Sequence, residues 1–158
     1  MRWINMIHEI RIDGKSYQIK SADGSHQVIS GDPDPDDKEL INDLLELMEK
    51  NEYLERGDIE WEMKDPKLHL QILIRELLPG IYSYGLHTQF GIGDHRGGGF
   101  HPQENIVWRA RKDAIREARL KLARELQEVS QDRGSCITED QEKLAREARI
   151  QVLQLTLF

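Results

Sequence analysis

The chain has 158 residues, 38% hydrophobic and 32% charged, with a formal net charge of −7. That length suits one domain with a sizeable core, and the acidic balance excludes a surface that attracts a phosphate backbone as a whole. No stretch reaches the roughly 18 apolar residues of a membrane span, residues 1–5 lack the apolar core of a signal peptide, and the single cysteine, Cys136, rules out an internal disulfide. The expected setting is therefore a reducing cytoplasm, with no membrane partner.

The alternation of Ile4, Met6, Ile10 and Ile12 predicts a strand over residues 2–12. Asp13-Gly14 is a tight-turn dipeptide and Ser16–Ile19 returns, so a hairpin follows. Residues 21–36, rich in Ser, Gly, Asp and Pro, read as an exposed loop. Asp36 or Asp37 then caps a helix to about Lys50, with Leu40, Leu44, Leu45 and Met48 on its buried face. Ile59, Trp61 and Met63 alternate with Glu60 and Glu62 as a short strand.

Asp65-Pro66 reads as a helix start and Pro79-Gly80 as a stop, with Leu70, Leu73, Ile74 and Leu77 at helical spacing between them. Leu68, Leu70, Ile72 and Ile74 also alternate, which is the strand alternative; the end signals favour the helix. Residues 81–86 fit another strand, leading into a glycine-rich loop from about Gly91 to His101. The longest expected element is a helix from about Pro102 to Gln131, with an apolar stripe of Trp108, Ile115, Ala118, Leu122, Leu126 and Val129. Thr138-x-x-Gln141 is a capping box opening a last helix to about Ile150. Strands early and helices late give an α+β fold: a small N-terminal antiparallel sheet or hairpin followed by helices. The expected division is a single domain over 1–150 and a docking tail or terminal strand over 151–158.

The chain finishes Gln154-Leu155-Thr156-Leu157-Phe158. This pentapeptide resembles the short motif by which bacterial replication and repair proteins dock on the ring-shaped DNA sliding clamp: glutamine, leucine, a small or acidic residue, leucine, phenylalanine. Gln154, Leu155, Leu157 and Phe158 match its four large positions, and Thr156 departs at the small one. The resemblance implies a sliding-clamp partner and a role as a DNA replication or repair accessory, of bacterial, phage or mobile-element type. It extends no further than these five residues. Two structural alternatives use the same side chains. Leu153, Leu155 and Leu157 alternate as a closing strand would, and the segment also extends a helix through Leu144, Ala148 and Val152.

Two upstream regions carry candidate chemistry. Arg109, Lys112, Arg116 and Arg119 recur at three- and four-residue steps, as a basic helical stripe able to neutralise phosphates of DNA. Its ordinary alternative is a solvated face with Glu117-to-Lys121 pairing. In the loop, Asp94 and His95 precede Arg96 and three glycines, and His87, His95 and His101 fall within 15 positions. Asp94-His95 with Asn105 near a helix start also resembles the nuclease motif named for its His-Asn-His residues. That resemblance implies a divalent metal and catalysis by Asp94, His95 and His101, with Asp113 or no residue filling the last position. A loop that meets phosphate through backbone N–H groups and Arg96 is the binding alternative. A third reading is an inhibitor that fills the clamp groove without acting on DNA. Apart from the nuclease reading, no cofactor is expected.

Overall fold

The computed structural model describes residues 6–22, 25–49, 57–90, 94–96, 105–131 and 138–155. Within them the chain forms β1 (Met6–Ile12), β2 (Lys15–Ala22), β3 (Ser25–Ser30), α1 (Pro35–Glu49), β4 (Asp58–Asp65), β5 (Leu68–Leu78), β6 (Ile81–Phe90), β7 (Asp94–Arg96), β8 (Ile106–Val107), α2 (Arg111–Gln131) and α3 (Glu139–Leu155). The fold class is α+β, as expected, with the two longest helices last. Its strand content exceeds a hairpin: two four-stranded sheets run in the orders β3-β2-β1-β8 and β4-β5-β6-β7.

In the first sheet β1 and β2 pair antiparallel around Asp13 and Gly14, whose φ angles are 50° and 83°. Two successive left-handed residues match the twist of a two-residue hairpin, and Asp-Gly meets that need at little steric cost. Ile10, Ile12, Tyr17 and Ile19 face the buried side, against Leu40, Ile41, Leu44 and Leu45 of α1. Ile41 joins the face expected from the sequence, whereas Met48 is only half-buried. The helix starts one turn earlier than Asp37: the Asp37 N–H donates to Asp34 Oδ1 at 2.8 Å, so Asp34 is the cap and Pro35 the first helical residue.

Residues 21–36 are not one loop. Ala22 closes β2, and β3 pairs antiparallel with it, Ile19 opposite Val28 and Ser21 opposite His26. Only Val28 packs on the core while Ile29 is exposed, so this edge strand shows little of the alternation that would reveal it. Gly31 then turns the chain at φ 108°, where a Cβ would come within 2.5 Å of Tyr17 Cδ1 and 2.8 Å of the Ser16 carbonyl oxygen.

The second sheet corrects the helix expected between Asp65 and Pro79. Those residues form β5, paired antiparallel with β4 and β6. Leu68, Leu70, Ile72 and Ile74 are buried on one face, and Gln71 and Leu73 are buried on the other. A strand covered on both sides is a continuous apolar run, which periodicity alone does not separate from a helix. Asp65-Pro66 makes a hairpin turn rather than a cap, the Lys67 N–H donating to Asp65 Oδ1 at 2.9 Å. Pro79-Gly80 likewise turns β5 into β6, which runs to Phe90.

The long helix begins at Arg111, not near Pro102. Residues 106–107 form β8, parallel to β1, and Trp108 exchanges two backbone hydrogen bonds with Tyr82 of β6 at 2.8 and 2.9 Å. The Ser83 hydroxyl also donates to the Ile106 carbonyl at 2.8 Å. Those contacts join the two sheets. Ile115, Ala118, Leu122 and Leu126 of α2 bury against β5 and β6, as the stripe predicts, together with Ala145, Ala148 and Val152 of α3. The expected capping box is present in both directions. The Thr138 N–H donates to Gln141 Oε1 at 2.9 Å, and the Gln141 N–H donates to Thr138 Oγ1 at 3.2 Å. Among the described residues no helix is long and apolar enough to cross a membrane.

Candidate functional site

The helix α3 runs past the 150/151 boundary to Leu155, so Leu153 and Leu155 are helical rather than strand residues. Its buried positions are Gln141, Ala145, Ala148 and Val152, a three- and four-residue recurrence that stops one turn before the end. Gln154 and Leu155 are exposed, Leu155 at 39%. Arg119 Nη1 of α2 donates to the Leu155 carbonyl at 3.1 Å. A helix leaves its last carbonyls without intrahelical partners, and a guanidinium is a suitable donor for one of them. Leu157 and Phe158 lie outside the described residues.

The basic stripe divides into residues with different work. Arg109 precedes α2 and is bound at the junction of the sheets. Its backbone N–H and Nη1 donate to the Asp13 carboxylate at 2.9 and 3.2 Å, and its Nη2 donates to Asp37 Oδ1 at 2.7 Å. The Tyr17 hydroxyl donates to the other Asp37 oxygen at 2.5 Å. Burial opposes ionisation of Asp37, but the bonds from Tyr17 and Arg109 outweigh it and hold the carboxyl below its ordinary value. The same bond, then burial, pushes the Tyr17 phenol up to about 12. Arg109 therefore ties β2, the first hairpin turn and α1 together. Arg116 lies 3.5 Å from Asp113, Arg119 holds the end of α3, and Lys112 is exposed.

The glycine-rich segment is likewise not one loop. Asp94, His95 and Arg96 form β7, paired antiparallel with Phe90, Gln89 and Thr88 of β6. The glycines around them and His101 lie outside the described residues. His87 belongs to β6, where it is buried with its ring 5.1 Å from that of His69 in an edge-to-face contact. His69 in turn meets Glu62 Oε2 at 2.8 Å. His87 thus serves a polar row across the second sheet: Glu62, Gln71 and His87 are register partners. Among the described residues no three metal-ligating side chains converge.

An open groove of about 480 Å³, not foreseen from the sequence, lies where the sheets meet α2. Trp108 and Tyr84 form its floor, stacked at 5.5 Å with their planes 28° apart. Asp113, Arg116, Glu117, Lys121 and Arg124 line it from one side of α2, recurring at three- and four-residue steps. Arg11 of β1 and the Asp13-Gly14 turn close the opposite side. The Lys121 ammonium stands 5.9 Å from the centre of the Tyr84 ring. Burial, then the nearby Glu117 carboxylate, push the Tyr84 phenol up to about 12, so it is a neutral hydroxyl at physiological pH. Lys121 and Arg124 were present in the sequence as part of the basic run. Nothing local marked Tyr84, because its place beside them depends on the crossing of β6 under α2.

Against known proteins, no family model, curated protein or solved structure matches this chain.

Proposed function

We propose that the protein docks on a bacterial DNA sliding clamp through Gln154, Leu155, Leu157 and Phe158, as an accessory of DNA replication or repair. The observation that carries this reading is the burial pattern of α3. The helix spends its apolar face by Val152, and the first two residues of the motif stand exposed in its last turn. Neither is needed by the core.

An extended docking peptide must unwind that turn. The cost is the last helical hydrogen bonds and the Arg119 contact, about 0.5–1.5 kcal/mol for each bond. Burial of Leu155, Leu157 and Phe158 in a groove returns about 1.5–3 kcal/mol per side chain, less the ordering of the peptide at about 1–2 kcal/mol per residue. Modest affinity follows. Once the chain is tethered, its local concentration at DNA rises, and the exposed Lys112 and Arg116 of α2 supply weak phosphate contact.

The test is a titration of purified bacterial sliding clamp with the intact chain and with a Leu157→Ala, Phe158→Ala double variant. The reading expects saturable binding that the double variant weakens by about tenfold or more, the equivalent of at least 1.4 kcal/mol. Equal binding by the two proteins would remove the motif from the interaction.

A further inference from the structure

We infer that the groove between α2 and the junction of the two sheets binds a nucleotide unit, its phosphate at Lys121 and Arg124 and its base along the Tyr84–Trp108 floor. This site is separate from the clamp-docking residues and does not rest on them.

Four features point to that ligand class. The first is size: about 480 Å³ lies within the roughly 300–1,000 Å³ of small-molecule sites. The second is charge within an acidic protein. Arg11, Arg116, Lys121 and Arg124 line one opening of a chain with a net charge of −7, Arg11 paired with Glu9 and Arg116 with Asp113. Among the described residues neither Lys121 nor Arg124 has an ion-pair partner, whereas Arg109 and Arg111 are held by Asp37 and Glu60. The fold has used the latter two and left the former two facing the opening.

The third is polarity along the groove. From Asp113 to Arg124 the lining of α2 covers about 16 Å at 1.5 Å per residue. Arg116 beside Asp113 and Glu117, and Arg11 beside the Asp13 turn, mix both signs at one end, whereas the lining at Lys121 and Arg124 is cationic alone. A simple polyanion would meet carboxylates at the first end. A nucleotide carries an anionic phosphate at one extremity and amino or hydroxyl donors at the other, which carboxylates accept. The fourth is the floor. Tyr84 and Trp108 are mostly covered, yet both contribute surface to the lining. That apolar surface suits contact with a planar base, adding to the charge interactions. The neutral Tyr84 hydroxyl adds a donor beside the cations.

Free nucleotides and the nucleotides of a single strand share this chemistry, and the experiment separates them. The intact protein is titrated by calorimetry at low salt with adenosine monophosphate, adenosine, inorganic phosphate and a short oligothymidylate. The inference expects saturable binding of adenosine monophosphate, with adenosine and phosphate each weaker by about tenfold or more, since each lacks half the contacts. Lys121→Gln and Arg124→Gln, at positions outside the buried core, should each weaken it several-fold. A tighter oligothymidylate complex would identify a single strand as the source, and a tighter monophosphate complex a free nucleotide. Equal binding of adenosine and its monophosphate, unchanged affinity in both variants, or no saturable binding of adenosine monophosphate or the oligothymidylate would each overturn the inference.

Discussion

Arg109 and Arg119 belong to one basic stripe in the sequence, yet the fold treats them in opposite ways. Arg109 is clamped between Asp13 and Asp37, and Asp37 is only 5% exposed. Arg119 holds a single backbone carbonyl at the exposed end of α3. At the first place three elements depend on one guanidinium. At the second, the guanidinium steadies a helix end at which Gln154 and Leu155 are exposed. Like residues at like spacing therefore give no measure of structural weight; the burial of the partner does.

Substitutions at the two places should differ accordingly. The largest effect is expected for Asp37→Ala, which leaves the Tyr17 hydroxyl and the Arg109 guanidinium without their shared acceptor. Loss of one member of a buried charged network costs about 3–5 kcal/mol. Because Arg109 is 41% exposed, solvent screening reduces this to about 2–3 kcal/mol, measurable by urea unfolding. A loss under about 0.5 kcal/mol would reduce the network to decoration.

Next is the pH profile. Tyr17 titrates near 10 when unfolded and near 12 when folded. A raised value means that its contribution is whole below pH 10 and disappears as the pH rises through 12. Asp37 has the opposite sign: its value is lowered, so its contribution is present above the ordinary 3.8 and is lost as the pH falls through the folded value. Tyr17→Phe should flatten part of the alkaline loss in unfolding measurements. An unchanged alkaline slope would detach Tyr17 from the network.

Gln141→Ala at the start of α3 should cost about 1–2 kcal/mol. The side chain accepts from Thr138, and its Nε2 also donates to the Lys67 carbonyl at 3.1 Å. The smallest effect belongs to Arg119→Gln, expected within about 0.5 kcal/mol of the parent for an exposed contact. That variant frees the last turn of α3, so clamp affinity should hold or rise by roughly twofold for a change of that size. A marked fall in stability would show the helix end to be part of the core.

Much of this arrangement was legible beforehand where local chemistry decides it. Asp13-Gly14, the Thr138–Gln141 box and the part of the α2 stripe from Ile115 to Leu126 each depend on residues within a few positions of one another, and each stands as expected. The misreadings have a common cause. The β5 run has helix end signals that serve equally as turn signals, and only its burial on both faces makes it a strand. The polar edge strand β3 shows almost no alternation in its sequence, because Val28 alone packs on the core while Ile29 faces solvent. Trp108 fits a helical stripe by spacing, but its pairing with Tyr82, 26 positions earlier, holds it outside α2. Site residues follow the same rule. Arg109 looked like a phosphate contact until Asp37 was beside it, and Tyr84 gained meaning only from the cations that α2 lays across β6.

If Gln154–Phe158 acts on a partner and not on the fold, its removal separates binding from stability. The decisive measurement titrates purified bacterial sliding clamp with the intact chain and with a chain lacking residues 154–158, with thermal unfolding of each recorded alongside. The shortened chain is expected to unfold cooperatively within a few degrees of the parent, a change of about 1 kcal/mol or less, and no longer to bind the clamp. Undiminished binding by the shortened chain, no binding by the intact one, or loss of the folded state on truncation would contradict it.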